Sequence, residues 1–259
     1  MTKETCCLDS CDMFDFMSEH VGLNVLHPGG TKATGALLER LYLDRTMTVL
    51  DVACGKGLSS VALAKKVGCH VVGVDILENS IDKAEAFAKK HRVDHLVTFR
   101  VADAKRLPFP KNTFDAAFAQ AMLILVNDKL KVVREVNRVL KPGGRSGWIE
   151  LSWKKKASKE FIRSASKEIC AACIANVDEF EGWEKLFKKG GVKNLETARY
   201  SMHFRGFRGM VEDEGFANGL KVMSKMATHP AMRKRMKNLN AFFKTHQDYV
   251  GYGIYTGVK

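Results

Sequence analysis

Three aspartates and two glycines stand where chemistry would need them. Asp51 lies inside the apolar run TVLDVA (48–53). Gly55 and Gly57 follow it at once, Asp75 closes HVVGVD (70–75), and Asp103 closes VTFRVAD (97–103). Glycines without a Cβ let the chain turn tightly and approach a ligand. A carboxylate twenty residues past the first glycine is placed to accept two hydrogen bonds from a ribose diol. Dinucleotide sites share that much, but three features separate this set from them. Ser60 stands where the third glycine of GxGxxG would be. Asp51, inside the strand and close to the loop, would repel a pyrophosphate, yet not a ligand carrying an ammonium and a sulfonium. Asp103 is placed to accept from an adenine amino group. The set suits a phosphate-free, cationic adenosyl ligand.

These residues need strands and helices to present them. A buried strand over 48–53 leads through the glycine loop to a helix over Leu58–Val67, stopped by Gly68. Strands at 70–75, 97–103, 115–121 and 145–151 follow, with helices over Ile81–Lys90 and Lys129–Leu140 between them. KPGG (141–144) ends the second of these helices and enters the fifth strand. Asn79 and Ser80 are the helix caps expected after Asp75. Thr31–Leu43 carries Ala33, Leu37, Leu38 and Leu41 at helical spacing and should lie against the sheet. Strand alternating with helix at this spacing implies parallel βαβ units. After 152 the rhythm changes: 157–190 and 205–247 read as helical, 191–204 as a strand, and GYGIYTGVK as a short last strand. One domain is expected: a cofactor-binding core over 30–151, helical and substrate-side elements over 152–247, and a last strand over 248–259. Ligands of such sheets sit beyond the carboxyl ends of the strands, near the switch in strand order.

VLDVACGKG, VVGVD, VADAKRLPFPKNTFDAAF and VLKPGG, in this order and spacing, resemble the class I S-adenosylmethionine-dependent methyltransferases. The branch that looks similar is the small-molecule one, like the ubiquinone and menaquinone biosynthesis methyltransferases. The likeness covers roughly residues 30–151 plus the final strand. It implies an α/β fold: a Rossmann-like, doubly wound, mostly parallel seven-stranded sheet, with an antiparallel last strand and a helical insertion before it. It implies S-adenosyl-L-methionine as cofactor and a small-molecule methyl acceptor. By the same resemblance Asp51, Ala53, Gly55 and Gly57 would surround the methionine part. Asp75 would hold the ribose hydroxyls, with Ile76 against the adenine face and Asp103 and Ala104 at the adenine edge. Ala119 and Gln120 would form the floor below the methyl group, and Gly30 would touch the cofactor from the HPGG turn (27–30). Lys56 departs from the small or hydroxyl residue usual at its place, and its side chain is expected in solvent.

The acceptor is harder to read. An in-line displacement at an activated methyl requires chiefly alignment, and a base only for an acceptor whose proton has a high pKa. His27, Glu150, Tyr200 and His203 are the candidate bases. AQAM stands where amino-methylating DNA and protein enzymes carry Asn-Pro-Pro-Tyr or Asp-Pro-Pro-Tyr, which argues against base or amide N-methylation. Met202, Met210, Met223, Met226, Met232 and Met236 suit either a lid over an apolar ligand or simple packing. The seven cysteines, with no secretion signal ahead of them, read as reduced thiols. Cys6, Cys7 and Cys11, or Cys170 and Cys173 one helical turn apart, raise an alternative, thiol-assisted arsenite methylation, though their spacing is no recognised metal set. The formal charge of +13 raises a second, a cofactor-binding RNA-associated module. Because Lys and Arg are spread along the chain, the charge reads as solvated helix faces rather than a nucleic-acid footprint. A dehydrogenase is disfavoured by Ser60 and Asp51. No apolar run reaches the roughly 20 residues that span a bilayer, and a cytoplasmic location is expected.

Overall fold

The computed structural model describes residues 12–169, 171–202 and 206–259. Cys6, Cys7, Cys11, Cys170 and His203 lie outside them. The strands are β1 (Thr48–Val52), β2 (His70–Asp75), β3 (Val97–Val101), β4 (Phe114–Gln120), β5 (Leu140–Trp153), β6 (Asp178–Glu179), β7 (Lys193–Ser201) and β8 (Val250–Val258). They pair in the order β3-β2-β1-β4-β5-β8-β7. Only β8 runs antiparallel to its neighbours, β5 and β7. The seven-strand path is the expected one. The two-residue β6 adds an eighth strand beside the end of β5, pairing at Ser152 and Trp153. β1 holds Val49, Leu50 and Val52 fully buried, the continuous apolar reading of a strand covered on both faces. Strand order reverses between β1 and β4, which opens the crevice.

Helices cover both faces. α2 (Gly30–Glu39), α3 (Leu58–Val67) and α4 (Glu78–Lys90) bury Leu37, Val61 and Ala84 on one side. α5 (Lys129–Val139) and α7 (Phe180–Lys189) bury Val133, Val136, Trp183 and Phe187 on the other. α1 (Asp12–Asp15) runs into a π-helical turn, Phe16–Val21, ahead of α2. α6 (Lys159–Glu168) follows β5, and α8 (Gly206–Thr228) and α9 (Pro230–Thr245) form the helical insertion before β8. α8 is broken by a kink at Gly215.

Some local expectations shift. α2 stops at Glu39 rather than Leu43, where the Arg40 amide bonds back to Leu37 and Leu38. α4 starts at Glu78, not Ile81. Asp75 Oδ1 accepts from the amide of Leu77, the residue before the helix, at 3.0 Å, and no side chain caps the first turn, neither Asn79 nor Ser80 taking that role. Among the described residues Cys54 and Cys69 are free and buried, but Cys173 is disulfide-bonded, against the reading of all seven as reduced. Met202, Met210, Met226, Met232 and Met236 pack against the core, and Met223 is exposed.

Candidate active site

The loop after β1 is built by positive-φ residues. Ala53, Gly55 and Gly57 have φ of 59°, 52° and 77°. A Cβ on Gly57 would stand 2.7 Å from Phe99 and 2.9 Å from Ala84, so only glycine lets α3 start this close to the sheet. A Cβ on Gly55 would meet no protein atom within 4 Å. The open space beside Gly55 belongs to a cavity of about 760 Å³ over the carboxyl ends of β1, β2 and β4.

Of the residues singled out in the sequence, Ala53, Gly55, Asp75, Ile76, Asp103, Ala104 and Gln120 line this cavity; Gly30, Asp51, Gly57 and Ala119 do not. Asp51 is buried beneath the loop, where its Oδ2 accepts from the Ser60 hydroxyl at 2.6 Å. Ser60, at the missing third glycine, is thus the partner of the acid in the strand. Burial raises the Asp51 pKa to about 7, against the lowering effect of the Ser60 bond. Ala119 is a fully buried sheet residue paired with Trp148. Gly30 packs under Asp213 of α8, whose carboxylate a Cβ there would strike at 2.3 Å. Each of the four shapes the site from behind rather than facing it.

Asp75 Oδ2 accepts from the Gly55 amide at 2.9 Å while Oδ1 holds Leu77. Each carboxylate oxygen retains a further acceptor direction. Asp103 Oδ1 accepts from the Lys105 amide at 2.8 Å. Next to these acids, Ile76 and Leu77 are 65% and 59% exposed, though both are apolar and line the cavity. Large apolar side chains left uncovered beside fixed acceptors are what a flat, hydrogen-bonding ligand would cover.

The roof was not legible in the sequence. Residues of the 14–27 segment, Phe14, Ser18, Asn24 and Val25 among them, line the cavity. Lys56 turns toward this segment instead of solvent or ligand, donating to the carbonyls of Ser18 and Leu23 at 3.3 Å. α8 clamps the segment from outside. Glu214 accepts from the amides of Asn24 and Val25 and from the side chains of Asn24 and Asn218, at 2.6–3.0 Å. Asp213 accepts from the Thr31 amide and hydroxyl at 2.9 Å. No described residue after Asn127 lines the cavity. The helical insertion therefore acts by holding the N-terminal strap, and its methionines do not form the cavity wall.

A polar cluster closes the inner end. Gln120 accepts from Ser59 at 2.7 Å, donates to Thr34 at 2.8 Å, and lies 3.3 Å from His27 Nε2. His27 Nδ1 lies 3.3 Å from the Pro28 carbonyl, which only accepts, so the proton belongs on Nδ1 and Nε2 is left as the acceptor. Desolvation lowers the His27 pKa, which keeps the ring neutral. Of the other candidate bases, Glu150 is fully buried behind the site, and Oε1 accepts from the amides of Met122 and Leu123. Burial raises its pKa to about 8. Tyr200 stacks on Tyr252, away from the cavity. Cys54 is the one free thiol at the cavity among the described residues, and burial pushes its pKa up. No group of three metal-ligating side chains occurs among the described residues. That leaves thiol-assisted arsenite chemistry without a described ligand set.

The glycine loop, the acid ending β2 and the cavity beside them lie at the switch in strand order of a doubly wound sheet, where such folds bind their ligands. A family model described as a methyltransferase domain matches residues 50–146. An uncharacterized protein of Haemophilus influenzae is 31% identical over 230 residues, covering 88% of this chain and 89% of that one. The 27-O-demethylrifamycin SV methyltransferase of Amycolatopsis mediterranei is 31% identical over 161 residues, covering 60% of this chain and 58% of its own. In fold, the chain is similar to phosphoethanolamine N-methyltransferase 2 of Haemonchus contortus, solved with phosphomonomethylethanolamine and S-adenosylhomocysteine. The TM-score is 0.75 at 23% identity, over 96% of this chain and 60% of that one. Residues 50–146 thus carry a methyltransferase domain, and nearly the whole chain shares its fold with a solved methyltransferase.

Proposed function

We propose that the protein methylates a small molecule from S-adenosylmethionine bound in the 760 Å³ cavity. The observation that carries the reading is the convergence of Gly55, Asp75 and Asp103 on one cavity with the uncovered apolar faces of Ile76 and Leu77. Asp75 has acceptor directions to spare for a ribose diol. Ile76 and Leu77 give an adenine ring its apolar face, and Asp103 and Ala104 its polar edge. Ala53 and Gly55 offer backbone and open space to the methionine part, while Asp51 supports that loop through Ser60. When bound, the cofactor supplies a sulfonium-activated methyl group.

Gln120, held from both sides by Ser59 and Thr34, fixes the floor. His27 Nε2 would serve as general base for an acceptor hydroxyl or ammonium that displaces its Thr34 and Gln120 contacts. A neutral imidazole with its other nitrogen already donating is set for that work. A small-molecule acceptor is supported by the name of the rifamycin methyltransferase relative.

The test is a thermal shift panel with S-adenosylmethionine, S-adenosylhomocysteine and NAD, since a ligand of the native state alone raises stability by mass action. A shift with the first two and none with NAD supports the reading. A shift with NAD alone would overturn it. Formation of S-adenosylhomocysteine across a panel of small hydroxyl and amine acceptors then tests the acceptor class.

A further inference from the structure

The insertion carries a feature the methyl-transfer site does not use. From Phe216 to Gln247 the sequence has seven Lys and Arg and no Asp or Glu, more than half of the formal net charge of +13. These residues form the second half of α8 and all of α9. Past the kink at Gly215, Phe216, Leu220 and Met223 recur at i, i+4 and i+7, which puts them on one helix face. That face is open: Phe216 is 71%, Leu220 58% and Met223 42% exposed. The buried side of the same helix is carried by Gly219 and Val222.

At the foot of this stripe lies a second, more open cavity of about 580 Å³. Phe216 and Lys221 line it from α8, and Lys83, Phe87 and Lys90 from α4. Lys83 is paired with Glu19 at 3.1 Å, whereas Lys90 and Lys221 are exposed. The second cavity shares Asn24, Lys56 and Leu58 with the cofactor cavity, so the two adjoin at these residues.

We infer that the α8–α9 hairpin is a docking face for an anionic lipid bilayer. Phe216, Leu220 and Met223 would enter the acyl boundary, while Lys90, Lys221 and the exposed lysines of α9, Lys234, Lys237 and Lys244, would meet the headgroups. The chemistry decides between polyanions. A nucleic acid would account for the charge but not for a row of uncovered aliphatic and aromatic side chains beside it, and large exposed apolar residues mark interaction surfaces. A bilayer surface accounts for both, because an interfacial helix combines an apolar stripe with a Lys- and Arg-rich polar face. Docking there would bring the strap over the cofactor cavity close to the lipid surface. No described helix is long and apolar enough to cross a membrane, which fits a peripheral mode.

The test uses the full chain and vesicle flotation, and is read without turnover, so it stands apart from the acceptor assignment. Vesicles of phosphatidylcholine alone are compared with an equimolar mixture with phosphatidylglycerol. Binding to the mixed vesicles, none to the neutral ones, and release by salt are expected. Lys90→Gln with Lys221→Gln should weaken partitioning by about 25-fold, at roughly fivefold for each lysine near an anionic surface. Phe216→Ser with Leu220→Ser should weaken it at least tenfold with an unchanged melting temperature, since both side chains are exposed. Failure to bind mixed vesicles at low salt overturns the inference. So does binding that survives the Phe216 and Leu220 changes, which would leave charge alone. So does tighter binding to a single-stranded RNA oligonucleotide that ignores those two changes.

Discussion

Replacing Asp51 by Asn should change how stability depends on pH, with little effect in acid and a growing gain toward neutral pH. Asp51 is buried in the sheet, and its one side-chain hydrogen bond comes from Ser60 at 2.6 Å. Its pKa is raised from 3.8 to about 7, with desolvation as the largest cause. Below about pH 4 the carboxyl is protonated in both the folded and the unfolded chain. Between about pH 4 and 7 only the folded chain keeps the proton, so folding takes one up and stability falls as pH rises. Above that window both forms are ionised and the loss is complete. Three pH units at about 1.4 kcal/mol each come to roughly 4 kcal/mol. Asn keeps the volume and an oxygen for Ser60 but cannot ionise. Urea unfolding of both proteins at several pH values isolates the effect, because titrating groups that do not interact with Asp51 cancel in the difference, and desolvation of Asp51 outweighs its interaction with Asp75. The free energy of Asp51→Asn relative to wild type should climb by about 4 kcal/mol across the window and then level off. A difference that stays flat within about 1 kcal/mol, or slopes the other way, refutes the assignment of a buried, proton-holding acid under the loop.

Three further outcomes are expected. Gly57→Val combines a φ of 77° with a Cβ 2.7 Å from Phe99, and should cost about 2–5 kcal/mol in chemical unfolding. Glu214→Ala strands the Asn24 and Val25 amides. It should loosen the strap by about 2–3 kcal/mol, seen as faster proteolysis within residues 16–30 and a cofactor dissociation constant raised at least tenfold. His27→Gln keeps a polar side chain but not the base: kcat should fall by about 100-fold or more, while S-adenosylhomocysteine affinity moves little. In the wild type, the acid limb of the kcat/KM profile should lie below the usual histidine range, because desolvation lowers the His27 pKa.

The strands and their ends were legible because their signals are local. TVLDVA, HVVGVD and the glycines between them are written within a few residues of one another, and burial on both faces leaves few alternatives to a parallel sheet. Ser60 was read only as an absence; its bond to Asp51 needed the backbone turn that brings positions nine apart in sequence together. The strap was beyond local reading. Asn24 meets Glu214 across 190 residues, and no periodicity in either segment announces the other. Asn24 and Val25 carry no motif, yet they line the cavity. The methionines left two readings open for a related reason: their spacing marks an apolar helix face, and the packing shows that the face meets the core, as the simpler reading had it. HPGG was legible as a turn, while the placement of His27 against Thr34 and Gln120 depended on how α2 crosses the end of β4.

Calorimetric titration of S-adenosylhomocysteine into the wild type and Asp75→Ala tests the central claim most directly, because Asp75 joins β2, the glycine loop and the proposed ribose contact in one side chain. One site per chain in the wild type, weakened at least tenfold in the variant with NAD failing to compete, is the predicted result. Absence of binding to the wild type, or equal affinity in a variant that remains folded, would contradict it.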